Sequence, residues 1–227
     1  MALTLISAQE VVGKGPTTLK LAPQLIDRDH ISEALYRHVR PFLGPTLYSA
    51  IIADKKTFTP WDESASSYAI NALIFSGVNF DYYKCINEAG NSNPESDSAK
   101  WQTVEPFANA DYNNLWREGL WRLCAYLSIH NALPFIWGQI SNAGVGTNKV
   151  DTFEAFKRAD VDFLRAEIMQ SAETCKAQIH DFICAAKAVD SSKYTGYANS
   201  CEGCENKELS GNKGVNQNFG IFLDFNK

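Results

Sequence analysis

Between Thr147 and Thr195 the chain contains neither glycine nor proline. No residue in that stretch forces a helix to stop, and its apolar positions keep helical spacing. Phe153, Phe156, Val161, Leu164, Ile168, Ala172, Cys175, Ile179, Phe182 and Ala186 recur at intervals that return to one face. Asp151 or Thr152 is the natural cap. A helix over residues 152–188 would be about 55 Å long at 1.5 Å per residue. That exceeds the width of a compact domain, so such a helix must either protrude or break near its middle. Everything else in the chain has to be built around it.

Two further helices are expected. From Asp111 toward Trp137, the residues Leu115, Trp116, Leu120, Trp121, Leu123, Leu127 and Ile129 occupy most of the helical circumference. A helix that is apolar nearly all round belongs at the centre of the fold, and Pro134 predicts a kink or an end. Upstream, Ile70, Ile74, Val78, Tyr82 and Ile86 form an i+4 ladder, which predicts a helix over Ser64–Ala89, with Pro60 and Asp62 available to start it. Gly90–Lys100 is a polar, turn-rich loop. Gly138–Thr152 has the look of a loop or β-hairpin. The first 26 residues read as an extended arm with short strands at Leu3–Ile6 and Thr18–Leu21. After Tyr194 the chain turns rich in Gly, Asn and Ser, then ends in the apolar run Phe219–Leu223. The expected fold is therefore mainly α. It is a helical bundle with extended N- and C-terminal arms and a short β-hairpin or loop before the long last helix. The corresponding division is an N-terminal arm (1–28), a helical body (29–190) with the hairpin or loop at 138–152, and a C-terminal arm (191–227).

Of the 227 residues 45% are apolar, enough for a substantial core. The formal charge of −5 argues against a nucleic-acid-binding footprint, which needs clustered Lys and Arg. No apolar run is long enough to span a membrane, and the N-terminus lacks the pattern of a secretory signal. The six cysteines lack the regular spacing of a secreted disulfide scaffold, so a reducing interior is the expected place of folding.

Motifs with chemical content are few. Cys201-x-x-Cys204 supplies two of the four ligands that a structural zinc site needs, and no second CxxC or HxxxH stands nearby. Spectator thiols are the expectation, with zinc and a Cys201–Cys204 disulfide as the alternatives. His180-Asp181 is similar to the paired ligands of HD-type metal phosphohydrolases, whose site would also need His130 and an Asp such as Asp160 or Asp162 to converge. Gly144–Lys149 lacks the phosphate-loop pattern. Trp116, Trp121 and Trp137 could enclose a small apolar ligand, although aromatics at helical spacing on a central helix are ordinarily core. No catalytic constellation emerges, and no cofactor is expected.

One stretch carries a likeness. Ile31–Ser49 reads ISEALYRHVRPFLGPTLYS. Asp27 and Asp29 precede an apolar face of Ile31, Leu35, Val39 and Phe42, and Gly44-Pro45 turns the chain into a second helix at Leu47-Tyr48. This acidic cap, helix and "P-F-L-G-x-x-L-Y" spelling resembles the head–tail connector (neck adaptor) proteins of tailed bacteriophages, above all those of crAss-like phages infecting Bacteroidetes. A fainter likeness extends over Leu115–Ala188. The resemblance implies a non-enzymatic virion protein, made in the host cytoplasm and built into the neck. It implies a homo-oligomeric ring, a dodecamer, contacting the portal protein and tail or other neck proteins. DNA would pass through that ring without sequence-specific binding, and an acidic, weakly repulsive wall suits such a channel. On this reading Gly144 and Val145 of the hairpin, with Phe219, Ile221, Phe222 and Leu223 of the tail, make subunit contacts. The alternatives are a cellular helical-bundle binder of a small apolar ligand and a metal-dependent hydrolase using His180-Asp181.

Overall fold

Two apolar stripes meet at the centre of the molecule, one on a long helix that is buried on nearly every side and one on the helix pair that follows Asp27. The computed structural model describes residues 4–16, 21–65, 67–87, 92–142 and 158–201, with side chains left out at 137–142 and 158–160. Among these residues there are five helices and one four-stranded mixed sheet. Helix α1 is Ala8–Lys14. Helix α2 covers residues 28–43 in three parts: Arg28–Ala34, a wide π-turn Leu35–Val39, and Arg40–Leu43. Helix α3 is Pro45–Asp54. Helix α4 covers residues 110–142 and is kinked within its own π-turn at Trp116–Leu120, where Gly119 leaves helical geometry (φ 178°, ψ −14°). Helix α5 is Arg158–Val189.

Asp27 caps α2 as the sequence implies, its Oδ1 accepting from the Asp29 N–H at 3.2 Å. The buried face of α2 is Ile31, Ala34, Leu35, Val39 and Leu43, with Phe42 only partly buried. A π-turn holds more residues than the 3.6 of an ordinary turn, so it keeps a strict i+4 row in line and brings Leu43 inward in place of Phe42. Leu115, Trp116, Leu120, Trp121, Leu123, Leu127 and Ile129 of α4 are all buried, and the helix runs through Pro134 to Asn142. Gly119 lets α5 approach: a Cβ there would lie 3.2 Å from the Ile179 side chain. Helix α5 is unbroken over its 32 residues, about 48 Å of rise. Its inward row of Ile168, Ala172, Cys175, Ile179 and Ile183 packs on the body, while Phe163 near its start is 68% exposed.

The sheet corrects the expected fold class. Strands β1 (Thr59–Pro60), β2 (Leu73–Phe75), β3 (Tyr82–Cys85) and β4 (Trp101–Thr103) pair in that order, β1–β2 parallel and the others antiparallel. Strands β2 and β3 stand where a helix over Ser64–Ala89 is expected. Of the i+4 ladder, Ile70, Val78 and Ile86 are exposed, and Ile74 and Tyr82 belong to separate apolar clusters. Two short apolar and aromatic runs, joined by Ser76–Asp81 with Gly77 and Asn79 inside, make a hairpin instead, its alternate residues pointing to opposite faces. One sheet face, with Phe75 and Tyr82, joins the main core. The other, with Ile74, Tyr83, Cys85 and Trp101, has its own small core under Trp61, Tyr68 and Ala72.

The N-terminal extended arm is a second correction. Leu5, Ile6 and Val11 are fully buried in the main core, and α1 begins with a complete capping box between Ser7 and Glu10. Of the expected hairpin or loop at 138–152, residues 138–142 finish α4 and the remainder lies outside the described residues. In the C-terminal arm, Asp190–Cys201 packs back onto the body, and residues 202–227 lie outside the described residues.

Gly44 joins α2 to α3 at φ +88°, and a Cβ there would fall 2.3 Å from the carbonyl oxygen of Gly196. Gly44→Ala should therefore cost at least about 2 kcal/mol, since both the backbone conformation and a backbone contact oppose it. Urea unfolding of the two proteins measures this, and an unchanged midpoint would mean that the turn and the 190–201 segment are not packed as described.

Candidate functional site

The most concentrated group of polar interactions among the described residues is buried where α1, the end of α3, strand β3 and helix α4 converge. The capping box brings the Glu10 carboxylate inward: Ser7 N–H donates to its Oε2 at 2.7 Å, while the Glu10 N–H donates to Ser7 Oγ at 3.3 Å. Lys55, the residue that ends α3, places Nζ 2.6 Å from Glu10 Oε1 and 2.7 Å from the carbonyl oxygen of Leu5. Its ammonium also sits 4.7 Å from the ring centroid of Trp116. Tyr82 donates its O–H to the same Oε1 at 2.5 Å, and the Trp121 indole N–H donates to the Glu10 carbonyl at 2.8 Å. Trp116 and Trp121 stack with centroids 5.5 Å apart, ringed by Phe75, Tyr82 and Phe107.

The electrostatics follow from these contacts. Burial pushes the Glu10 carboxyl up, but the Lys55 ammonium and the donors Tyr82 and Ser7 outweigh it and hold the pKa below its ordinary value. Burial and the adjacent Glu10 charge push the Tyr82 phenol far up, so it stays a donor. The side chains of Lys55 and Glu10 are 10% and 6% exposed. A cavity of about 180 Å³ opens beside the pair, lined in part by Thr4, Gln9, Arg28, Lys56 and Phe58. Both carboxylate oxygens accept hydrogen bonds, and the ammonium is held by two acceptors and the Trp116 ring, so neither charge of the pair is left as an unpaired base or nucleophile. What it can do is clamp four elements together.

A second group lies at the end of α5. Cys184 is disulfide-bonded to Cys201. A ring nitrogen of His180 lies 3.6 Å from Cys184 Sγ, and His180 Nδ1 is 3.0 Å from the Tyr197 hydroxyl. This differs from the spectator thiols expected at Cys201, and from the Cys201–Cys204 alternative. Cys204 lies outside the described residues, as do Gly144, Val145, Phe219, Ile221, Phe222 and Leu223.

Among the described side chains the hydrolase constellation does not assemble. Asp181 and Asp162 are exposed, His180 is engaged by Tyr197, and His130 has Arg165 and His38 as its electrostatic neighbours. Burial first, then Arg165 and His38, push the His130 pKa down. Among the described residues no three His, Cys, Asp or Glu side chains are grouped to hold a metal, and no helix is long and apolar enough to cross a membrane. Trp116 and Trp121 are packed as core, and the Trp137 side chain lies outside the described ones.

The pattern of a described "Family of unknown function (DUF6712)" matches residues 92–207, just over half of the chain. The chain belongs to that family. The matched region takes in β4, α4, α5 and the Cys184–Cys201 pair, and leaves the helix pair α2–α3 outside. No curated protein and no solved structure matches the chain.

Glu10, Lys55 and Tyr82 are absent from the sequence-based candidates. The pattern Ser7-x-x-Glu10 before Val11-Val12 is nevertheless a readable capping box. Because the folded pKa of Glu10 is depressed, its contribution to stability is complete above the unfolded-state carboxylate range and is lost as pH falls through the folded value. Lys55→Met should lower stability by about 3–5 kcal/mol at neutral pH, leaving a buried carboxylate without its cation. That carboxylate would then prefer its proton, so the gap to the natural protein should narrow as pH falls from about 7 to about 4. Urea unfolding across that range measures it; a gap that stays constant would assign the loss to packing alone.

Proposed function

We propose that this chain is a head–tail connector, a structural subunit of a neck ring in a tailed bacteriophage particle. The observation that carries the reading is the stretch Ile31–Tyr48. Its connector-like spelling corresponds to a folded unit: a capped helix with a π-turn, a glycine turn and a second helix, packed on α4. A ring subunit also needs lateral faces. The body carries large apolar side chains at its surface, including Tyr36 on α2 (63% exposed), Phe135 on α4 (54%) and Phe163 on α5 (68%). Side chains of this size left in water are the raw material of subunit contacts. The net charge of −5 suits a channel wall past which DNA slides. In this reading the portal protein lies on one side of the ring, and tail or other neck proteins on the other. Gly144, Val145 and the Phe219–Leu223 run then reach between subunits.

The test is quantitative mass spectrometry of purified particles against the portal protein. The chain should appear in stoichiometric proportion to the portal, as matched rings require; its absence from particles would remove the reading. Deleting residues 216–227 should weaken ring formation in size-exclusion chromatography while leaving far-UV circular dichroism unchanged. Loss of helicity on deletion would place the tail in the core instead.

A further inference from the structure

After α5 ends at Val189, the chain reverses and lies across the helix pair. The Ala198 N–H donates to the Leu43 carbonyl at 3.2 Å, and Asn199 Nδ2 donates to the Phe42 carbonyl at 2.9 Å. Further back, the Tyr194 hydroxyl donates to the Asp111 carbonyl at 2.8 Å, and Lys193 pairs with the Asp111 carboxylate at 2.8 Å. Asn199 is exposed and the Lys193–Asp111 pair is about one-third exposed, so water competes for both contacts. At its far end the segment is fastened covalently, by Cys201 to Cys184.

The two cysteines are not equivalent. Cys201 is 7% exposed, whereas Cys184 is half-buried and has the His180 ring 3.6 Å away. The cysteines Cys85, Cys124 and Cys175 are buried and free of disulfides, and burial pushes the Cys124 and Cys175 thiols up, which makes them poor nucleophiles. Among the described cysteines, thiol chemistry from solvent is therefore directed to Cys184.

We propose that Cys184 and Cys201 form a reversible thiol–disulfide site that accepts a small-molecule disulfide at Cys184, and whose closure pins residues 190–201 across the Gly44 turn. In the closing reaction Cys184 gives its proton to the His180 ring, and its thiolate attacks one sulfur of the small disulfide. That S–S bond breaks, a small thiolate leaves, and a mixed disulfide forms on Cys184. Cys201 then gives its proton to solvent and attacks Cys184 Sγ, expelling the small thiol's other half. The cysteine pair is oxidised by two electrons and the small disulfide is reduced to two thiols. Opening is the reverse, driven by excess thiol. The proposal stands apart from the connector reading and holds whatever the chain assembles with.

The experiment uses the full chain, reduced with dithiothreitol, freed of it, and then exposed to glutathione disulfide. Peptide mapping without reduction should recover a Cys184–Cys201 linked peptide. Closure should raise Tm by about 5–10 °C, the size expected for a loop of this length in a chain of this size. Hydrogen exchange at the Ala198 amide should slow about tenfold or more on closure. Cys184→Ser should abolish the linkage and match the reduced natural protein in both readouts. Cys204→Ser should keep the linkage and the gain. A Cys201–Cys204 peptide, free thiols after oxidation, or equal Ala198 exchange in the two states would each overturn the proposal. The reduced natural protein is the reference, so the comparison does not depend on any variant folding.

Discussion

The Lys55 ammonium stands between a carboxylate, a backbone carbonyl and the face of an indole, and the arrangement of the body depends on that placement. It lies at the end of α3, so its position is set by everything from the Asp27 cap to the Gly44 turn. Its partner Glu10 comes from α1, and Tyr82 brings the sheet to the same oxygen. Removing two charges from water is expensive, and the pair is tolerated because both carboxylate oxygens accept hydrogen bonds and the ammonium has two acceptors and an indole face. Such a cluster specifies more than it stabilises. An N-terminal segment docked one turn out of place would bury a lone ammonium. Hydrophobic contact alone would not penalise that error so heavily.

The parts of this fold that are legible in the sequence are those whose information is local and repeated. Helix α4 declares itself because its apolar residues return on every side over many turns, and α2 because Asp27 and an i+4 row bracket it. Strands of three or four residues give too few repeats to outvote a chance i+4 ladder such as Ile70–Ile86. Their better signal was the glycine and asparagine within that ladder, since a helix seldom tolerates Gly77 and Asn79 together. The N-terminal helix had its own announcement in Ser7-x-x-Glu10, outweighed by the glycines and prolines around it.

The site was less legible still, for a different reason. Nothing near Lys55 in sequence shows that it will meet Glu10, because the pair exists only once the sheet and α4 hold the ends of α1 and α3 together. Disulfide partners are equally hidden from spacing. Cys201 has a nearer neighbour in Cys204, and the described pairing runs to Cys184 because α5 delivers it there. Family membership covers the region of that pairing and assigns it no role.

The close approach of Gly44 and Gly196 also imposes an order on how the molecule is made. The chain that crosses the turn is bonded to residues as far as 157 positions upstream. Chains emerge from the ribosome N-terminus first. Helices α2 and α3 and the turn between them are therefore synthesised long before their cover exists. A groove floored by glycine lacks its cover through most of translation, until the strip of chain that seals it has been made.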